Sequence, residues 1–365
     1  MNIGILIPGF SDGEQDWCIP VYLNLVRKLA EKDSVRVFAL RYPPRRDRYA
    51  VYGAQVYSMG GHSSMAGVRR WTLLARTVAA IVRQHRVQPF DVLHAIWADE
   101  TGFAACVAGK LLGVPVLVSV AGGELVGLPG YGLQSGRVSR WLVAQALGRA
   151  DCVTVPCQYA ANLIQQVGVS PRRLAIVPLG VDTALFHPGT SPAASNRLLA
   201  VGSLTAVKRH DHLLDVLAQL PGIILDIVGE GPLLPTLQAQ AKALGIADRV
   251  VFHGAVAHDA LPRFYQHATL HVLTSIHEAF GMVVVEAAAC GVPTVGYALG
   301  VLPELPGVPV AIGDKEALIA AIRDLLADAD NRASMGESAR RLVETRYTLD
   351  AMSNGMREIY AQYGG

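Results

Sequence analysis

The sequence predicts an α/β protein made of two doubly wound domains, each with a parallel sheet covered by helices. Short runs that are apolar throughout alternate with stretches of helical periodicity, which is typical of parallel strands buried on both faces. The alternation stops at a loop rich in Pro, Gly and Ser at residues 187–192, and then it begins again. Hydrophobic residues make up 51% of the 365 residues and charged residues only 17%, so the chain can bury two cores.

The first half contains five predicted strands. They are expected at residues 3–7, 35–40, 92–95, 114–120 and 152–155. Helices are expected among them at residues 21–31, 68–86 and 103–112. Because a helix lies between successive strands, as in a βαβ unit, these strands are expected to pair in parallel.

The second half repeats the same arrangement. Its strands are expected at residues 197–201, 223–228, 250–253, 270–273 and 293–297. Its helices are expected at residues 210–219, 233–243, 282–289 and 315–327. Two such sets predict two Rossmann-like domains that face each other across a cleft, with the boundary near residues 186–196. Ligands of open α/β sheets bind beyond the carboxyl ends of the strands, so we expect functional residues just after strands.

Composition argues against several classes of protein. Lys+Arg is 32 and Asp+Glu is 30, a net charge of +2 that argues against a nucleic-acid-binding protein. The five cysteines form no CxxC pair, which argues against a disulfide framework or a thiolate zinc site and favours a reducing cytoplasm. No signal peptide is expected at the start, because it lacks a basic region followed by a long apolar stretch. No membrane span is expected at residues 281–303, because Gly and Pro interrupt that stretch.

Charge is divided unevenly between the two halves. Residues 1–190 hold 19 basic and 12 acidic residues, a balance of +7, whereas residues 191–365 hold 13 and 18, a balance of −5. In the first half, arginines cluster in one predicted helix and in one loop: Arg69, Arg76, Arg83, Arg41, Arg45, Arg46 and Arg48. Two interpretations stay open, a solvated basic face and a contact with an anionic membrane surface or a lipid phosphate.

The strongest motif is a pair of glutamates, Glu278 and Glu286. Glu278 follows a predicted strand, and Glu286 lies inside the helix that begins near Gly281. A glycine at a helix start lets a phosphate reach the free N–H groups of the first turn, where the helix dipole favours negative charge. A carboxylate beside that point can accept hydrogen bonds from the hydroxyls of a sugar or a ribose. The motif therefore predicts a nucleotide-sugar site.

With this motif the chain resembles the retaining glycosyltransferases of the GT-B fold in glycosyltransferase family 4, whose EX7E motif matches Glu278 and Glu286. Further segments agree in order along the chain, at residues 91–95, 177–186, 201–208 and 227–232. The resemblance implies transfer of a hexose from a UDP- or GDP-sugar to an acceptor hydroxyl with retention, in polysaccharide or glycolipid biosynthesis. It also implies that the leaving diphosphate assists the incoming hydroxyl and that no metal or other cofactor is required.

The resemblance assigns a role to each part of the chain. Residues 1–186 would bind a sugar or lipid-linked acceptor, and residues 187–348 would bind the nucleotide-sugar donor. Residues 349–365 would form a helix that packs back on the first domain. The protein would work in the cytoplasm, with the inner face of the membrane as a possible site of peripheral attachment.

The donor-site residues of the family carry over to matching positions of this sequence. Glu278 would face the sugar hydroxyls, Glu286 would bind the ribose, and Lys208 would neutralise the diphosphate as it leaves. Backbone N–H groups of Gly281, Met282 and Val283 would hold the diphosphate. The rest of the donor set is Gly202, Ser203, Arg209, Gly229 and Phe280. Ser203 stands where the family usually has arginine, and Arg209 is the candidate to replace that cation.

The acceptor half departs further from the family pattern. His94 matches the first histidine of an H-x-H motif and is kept as a catalytic candidate, but Ile96 occupies the second position. Ala121 stands where an H-G-x-D motif begins, and Glu124 ends it. The acceptor-side candidates are Gly9, Gly13, Glu14, Asp99 and Glu124.

Two alternative functions remain open from the sequence. The substitutions Ser203, Ile96 and Ala121 are compatible with a non-catalytic nucleotide-sugar-binding protein of the same fold. A nicotinamide-dependent oxidoreductase is disfavoured because no GxGxxG follows the first strand. Asp328 and Asp330 match a DxD metal motif, but they end a helix and not a strand, so no metal site is predicted.

Overall fold

The computed structural model describes residues 1–14, 16–62, 66–128, 131–132, 136–190 and 196–364. They form two compact units. The first unit comprises Met1–Leu179 together with Leu349–Gly365, and the second unit comprises Gly180–Thr348. Part of the polar linker expected at residues 187–192 lies outside the described residues.

The first unit is built on an eight-stranded sheet in the order β10-β9-β6-β5-β1-β2-β4-β3. Every neighbouring pair is parallel except β3 and β4, which form a hairpin. The strands are β1 Asn2–Gly9, β2 Ser34–Tyr42, β3 Arg46–Val51, β4 Ala54–Met59, β5 Val92–Ile96, β6 Val116–Ser119, the short pair β7 Gly127–Leu128 and β8 Tyr131–Gly132, β9 Cys152–Val155 and β10 Leu174–Ile176. The helices are α1 Pro20–Ala30, α2 Gly67–Val87, α3 Glu100–Leu112, α4 Arg137–Arg149 and α5 Gln158–Gln166.

The second unit has a six-stranded, all-parallel sheet in the order β13-β12-β11-β14-β15-β16. Its strands are β11 Arg197–Val201, β12 Ile224–Val228, β13 Val250–Phe252, β14 Leu270–Leu273, β15 Thr294–Tyr297 and β16 Val308–Val310. Its helices are α6 His210–Ala218, α7 Leu234–Ala243, α8 Pro262–His267, α9 Met282–Ala289, α10 Lys315–Ala327 and α11 Ala329–Arg346.

The last helix, α12 (Leu349–Ala361), belongs to the first unit. Its apolar side chains Met352, Met356 and Tyr360 are buried in the same core as the sheet and α1. Arg357 Nε donates to Asp33 Oδ2 at 2.8 Å. Burial of one apolar stripe, as on any amphipathic helix, holds this segment against the sheet.

All ten strands and seven helices expected from periodicity are present, within a few residues at each end. The hairpin of β3 and β4 was not predicted, because its outer strand is exposed and rich in arginine and so lacks an apolar run. The division between units falls at residue 179, and not at residue 186 as expected. The reason is that Val181 pairs with Thr348 and Phe186 is buried against Tyr265, so this stretch packs within the second unit.

None of the described helices combines the length and the hydropathy that a membrane-spanning helix requires.

Candidate functional site

Most of the predicted donor residues lie at the carboxyl edge of the sheet in the second unit. The loop after β11 carries Gly202, Ser203 and Lys208, the loop after β12 carries Gly229, and the loop after β14 carries Glu278. Parallel strands end at the same edge, so side chains from loops far apart along the chain can meet there.

Lys208 and Glu278 form an ion pair between two of these loops, although they are 70 residues apart in sequence. Ser275 Oγ donates a second hydrogen bond to Glu278 Oε1 at 2.9 Å. Two further hydrogen bonds join the loops. Thr274 Oγ1 donates to the carbonyl of Lys208 at 3.0 Å, and the backbone N–H of Ile276 donates to the carbonyl of Val207 at 2.9 Å. The cation and the carboxylate are therefore held in one place, at the end of β14.

Glycine allows the loops after β11 and β12 to touch. A Cβ on Gly229 would lie 2.0 Å from the carbonyl oxygen of Gly202, and its φ of +141° is one that other residues rarely adopt. The N–H of Leu204 donates to the carbonyl of Glu230 at 2.9 Å across the same contact. Gly202 in turn leaves room for the Lys208 side chain, whose Cε would be 3.3 Å from an added Cβ.

Gly281 immediately precedes helix α9 as its N-cap residue, with a φ of +86° and no capping side chain. The preceding residue, Phe280, accepts a hydrogen bond from the N–H of Val301 at 2.7 Å and is buried. Met282 and Val283 form the first turn and are partly exposed. The amino end of α9 thus offers backbone N–H groups and the positive end of the helix dipole.

Glu286 lies one turn further along α9 and is buried. Its Oε2 accepts a hydrogen bond from the hydroxyl of Tyr265 at 2.8 Å, and its Oε1 is 3.7 Å from His258 Nε2. Phe186 packs against the rings of both His258 and Tyr265. Sequence reasoning missed Tyr265 and His258; the only signal was Phe186, which belongs to one of the segments that match the family.

Arg209, the candidate for the missing second cation, is held by its own helix. It has a left-handed backbone (φ +50°) at the start of α6, and its Nε donates to Asp211 Oδ1 at 2.9 Å. It also contacts His212. Ser203 is exposed. Next to Lys208 along the helix start, His210 is buried, and burial together with the charge of Lys208 lowers its pKa to about 4.

In the first unit, a cavity of about 300 Å³ lies at the carboxyl ends of β5 and β6. It is lined by two arginines, three carboxylates, one indole and smaller side chains: Arg41, Arg70, Asp99, Glu100, Glu124, Trp97, Gly123, Ser139, Leu142 and Val143. Asp99 and Glu124 belong to the acceptor-side set. Gly9 ends β1, whereas Gly13 and Glu14 lie in the following loop, where Glu14 is exposed; none of these three lines the cavity.

His94, a catalytic candidate, lies in the core of the first unit instead of at a cavity. It is fully buried, and its ring nitrogens are 2.7 Å from the hydroxyls of Tyr360 and Ser119. Burial lowers its pKa to about 3, so the ring is neutral. Both ring nitrogens are already hydrogen-bonded, so His94 cannot contact a substrate. The prediction that His94 is catalytic is therefore wrong.

Among the described residues, no three His, Cys, Asp or Glu side chains are grouped as metal ligands would be.

Both halves of the chain match known protein families. Residues 19–180 match the glycosyl transferase 4-like domain, and residues 183–342 match glycosyl transferases group 1. Each half of the chain is therefore similar to one glycosyltransferase domain family. After the families they match, we call residues 19–180 the 4-like domain and residues 183–342 the group 1 domain.

Two curated relatives illustrate the similarity. A D-inositol 3-phosphate glycosyltransferase of Acidothermus cellulolyticus is 30% identical over 305 residues, which are 74% of this chain and 64% of the relative. A GDP-mannose-dependent phosphatidylinositol monomannoside mannosyltransferase of Mycolicibacterium smegmatis is 31% identical over 229 residues, 56% of this chain and 60% of the relative. The aligned part thus spans less than two thirds of either relative.

Solved structures establish the fold. Sucrose-phosphate synthase from Thermosynechococcus elongatus superposes with a TM-score of 0.82 at 22% identity and covers 99% of each chain. HepE of Anabaena in complex with UDP gives 0.78 at 18% identity, covering 99% of this chain and 100% of HepE. The predicted two-domain GT-B fold is confirmed.

Proposed function

We propose that the protein transfers a hexose from a UDP- or GDP-sugar to an acceptor hydroxyl and retains the configuration at the anomeric carbon. The observation that carries this proposal is the Lys208–Glu278 ion pair, whose glutamate lies in the loop that leads into α9. Relatives support a nucleotide-sugar donor, since HepE structures contain UDP or UDP-glucose and the mannosyltransferase relative is named for GDP-mannose.

The roles of the donor residues follow from their chemistry. The N–H groups of Met282 and Val283 and the ammonium of Lys208 would hold the diphosphate. Glu278 would accept hydrogen bonds from the sugar hydroxyls. At Glu286, Tyr265 already donates to Oε2, and Oε1, which has His258 Nε2 at 3.7 Å, would accept from a ribose hydroxyl. Gly202 and Gly229 would keep the two loops close enough for the donor to be enclosed.

The chemical step would use the donor's own diphosphate. The acceptor oxygen forms a bond to the anomeric carbon while the bond from that carbon to the phosphate oxygen breaks. The acceptor's proton passes to the leaving phosphate oxygen on the same face of the sugar, so the configuration is retained. The protein would contribute position and charge, with Lys208 stabilising the negative charge that grows on the diphosphate. No metal ion enters this scheme.

We place the acceptor in the 4-like domain and propose that it is a sugar or a lipid-linked unit. A lipid-linked acceptor would require contact with a membrane, and one surface of this domain suits it. Val68, Trp71, Val138 and Trp141 are 44–81% exposed at the starts of α2 and α4. Those two helices contain eight arginines and neither Asp nor Glu. Exposed indoles beside arginines fit the interface of an anionic bilayer.

This membrane surface shares α2 with the arginine cluster inferred from sequence, but it does not include the loop arginines of that cluster. Arg41 pairs with Glu100 inside the first unit, and Arg45 pairs with Asp12 and Asp47. Co-sedimentation with vesicles of anionic or neutral lipid tests the surface. We expect the protein to bind anionic vesicles, and we expect this binding to fall when Trp71 and Trp141 are changed to Ser. Changing the exposed Leu111 to Ser is the control and should leave the binding unchanged. Equal binding to both lipids would refute the membrane contact and the peripheral location, leaving a protein of the cytoplasm.

The decisive experiment for the reaction is release of UDP or GDP from a donor panel, followed by NMR of the anomeric proton in the product. Lys208→Ala should abolish most turnover. Lys315→Ala, which removes a lysine of α10 that pairs with Asp215 of α6, should not. An inverted product would refute retention. Donor binding without turnover would instead indicate a non-catalytic nucleotide-sugar-binding protein.

A further inference from the structure

Glu124 is a buried carboxylate with one oxygen left over. Its Oε1 accepts hydrogen bonds from the N–H groups of Ala98 at 3.2 Å and Ala121 at 3.0 Å. Its Oε2 is buried without a hydrogen-bond partner among the described residues, although Glu124 lines the cavity of the first unit. Because a buried unpaired carboxylate oxygen is costly, such an atom at a cavity wall indicates that a ligand supplies its partner.

Trp97 supplies an aromatic wall to the same cavity and does so from a strained backbone. Its φ is +74°, which is rare for a bulky residue. The hydroxyl of Thr101 is 2.6 Å from the carbonyl of Ile96 and 2.8 Å from that of Trp97. The N–H of Trp97 donates to the backbone carbonyl of Ser119 at 2.9 Å. A strained turn that is held by several hydrogen bonds is typical of binding sites.

Both arginines of the cavity are already paired with the same carboxylate. Arg41 makes a forked contact with Glu100, its Nη2 lying 2.7 Å from Oε1 and 2.8 Å from Oε2. Arg70 Nε is 2.8 Å from Oε1 of the same residue. Counting also Asp99 and Glu124, the cavity holds three carboxylates against two guanidinium groups. The wall that a ligand meets is therefore not cationic.

We propose that this cavity binds the acceptor and selects a hydroxyl-rich unit without a phosphate group, through a hydrogen bond from an acceptor hydroxyl to Glu124 Oε2 and contact of the sugar face with Trp97. The proposal rests on the proposed function for its reaction. It sets this chain apart from relatives named for D-inositol 3-phosphate, because a phosphate dianion would face Asp99 and Glu124 without a free cation among the described lining residues.

The test uses acceptors in matched pairs: glucose and glucose 6-phosphate, myo-inositol and D-inositol 3-phosphate, glucosamine and glucosamine 6-phosphate. Nucleotide release from UDP-glucose and GDP-mannose is measured with each acceptor. We expect the unphosphorylated member of at least one pair to be used at least about tenfold better, the effect of one charged hydrogen-bonding contact. Preference for phosphorylated members, or no stimulation by any acceptor, would overturn the proposal.

Variants locate the effect. Glu124→Gln keeps an oxygen for Ala98 and Ala121 but removes the charge, so acceptor KM should rise about 10- to 100-fold while donor KM stays unchanged. Asp151→Asn is the matched control, since Asp151 accepts from the N–H of Val116 at the opposite edge of the sheet. Glu100→Gln frees two arginines and should shift preference toward the phosphorylated member. Unchanged acceptor KM in a folded Glu124→Gln protein contradicts the role.

A pH profile separates binding from a structural role. Burial, with a contribution from Asp99, raises the pKa of Glu124 to about 7. The other ionisable groups near it are Tyr22, Arg41, Arg70 and Glu100. Acceptor KM in the wild type should therefore fall as pH rises through about 7, and this dependence should vanish in Glu124→Gln. Hydrolysis of the donor without acceptor tests the proposed function alone. If the protein hydrolyses the donor but shows no acceptor selectivity, only the acceptor proposal fails; if it does not hydrolyse the donor, the proposed function fails.

Discussion

The hydroxyl of Tyr265 donates a hydrogen bond to Glu286 Oε2 at 2.8 Å, with both side chains buried in the group 1 domain. This contact satisfies half of a carboxylate that would otherwise be costly to bury, and it turns the other oxygen away from Tyr265. It links α8 with α9, and so it connects the fold of the domain with the proposed ribose contact.

Tyr265→Phe should destabilise the protein by about 1–3 kcal/mol, because Glu286 Oε2 is left buried without a partner. Urea unfolding measures the change, and Tyr297→Phe is the control, since that buried ring bonds to His212 outside this pair. The double variant Tyr265→Phe, Glu286→Gln should lose less than the sum of its parts. Additive losses would mean that the two side chains do not depend on each other.

Glu286→Gln should mainly raise donor KM, by about 10- to 100-fold, because a charged acceptor of the ribose hydroxyl is lost. The contact changes little as the sugar is transferred, so kcat should be nearly preserved. Steady-state kinetics with the best donor of the panel decides. A fall in kcat at unchanged KM would place Glu286 at the reacting centre instead. Glu278→Gln, which alters the carboxylate proposed to hold the sugar, should affect both constants.

Lys208→Ala should lower kcat by roughly 10²–10³ and raise donor KM less, because its ammonium would meet charge that grows as the diphosphate leaves. Ser203 offers no second cation and Arg209 is occupied by Asp211, so no neighbour is placed to replace it. Arg209→Ala is the informative control and should retain most of kcat. If Arg209→Ala is the more damaging change, the catalytic charge lies on that residue.

His94 should make the fold sensitive to acid. Its pKa of about 3 in the folded state lies below the ordinary 6.5, so the unfolded chain binds the proton better. This stability is complete above pH 6.5 and is lost as pH falls, by about 2 kcal/mol down to about pH 5. His94→Leu should flatten this dependence in unfolding measured across pH, while kcat at neutral pH stays close to that of the wild type. A large loss of kcat in the folded variant would restore a catalytic role.

Gly229→Ala should be poorly tolerated, because its Cβ would lie 2.0 Å from the carbonyl oxygen of Gly202 and the two loops would have to separate. Gly222→Ala is the matched control: its φ is also positive, at +75°, but an added Cβ would meet nothing within 4 Å. The control should lose about 1–2 kcal/mol from the left-handed backbone alone. The Gly229 variant should lose more, together with donor affinity, as thermal unfolding with and without nucleotide would show. Equal losses would contradict the close approach of the loops.

Local pattern was sufficient for most of the fold. The limits of α9, α10, β11, β14 and β9 were predicted to the residue, because apolar periodicity, glycine and capping aspartates act over a few positions. The hairpin of β3 and β4 was not predicted, because its exposed edge strand contains no apolar run. The short helix α8 has too few residues for a period to appear.

Spacing along the chain was sufficient to predict the two glutamates of the site, but it did not predict the residues that contact them. Glu278 and Glu286 were found because seven residues separate them around the start of one helix. Their partners Lys208 and Tyr265 come from another loop and another helix, where no spacing rule applies. Arg41 and His94 show the opposite error, since each looked available in sequence and each is engaged inside the first unit.

The sequence by itself determined that the chain forms two parallel α/β domains and that two glutamates lie beside a helix start, because these features depend on neighbouring residues. Only the tertiary structure decided which charges meet: Lys208 with Glu278, Arg41 and Arg70 with Glu100, and Glu124 with one oxygen unpaired at a cavity. The physical reason is that burial, which sets the strength of a charge and the shift of a pKa, is created by segments distant in sequence.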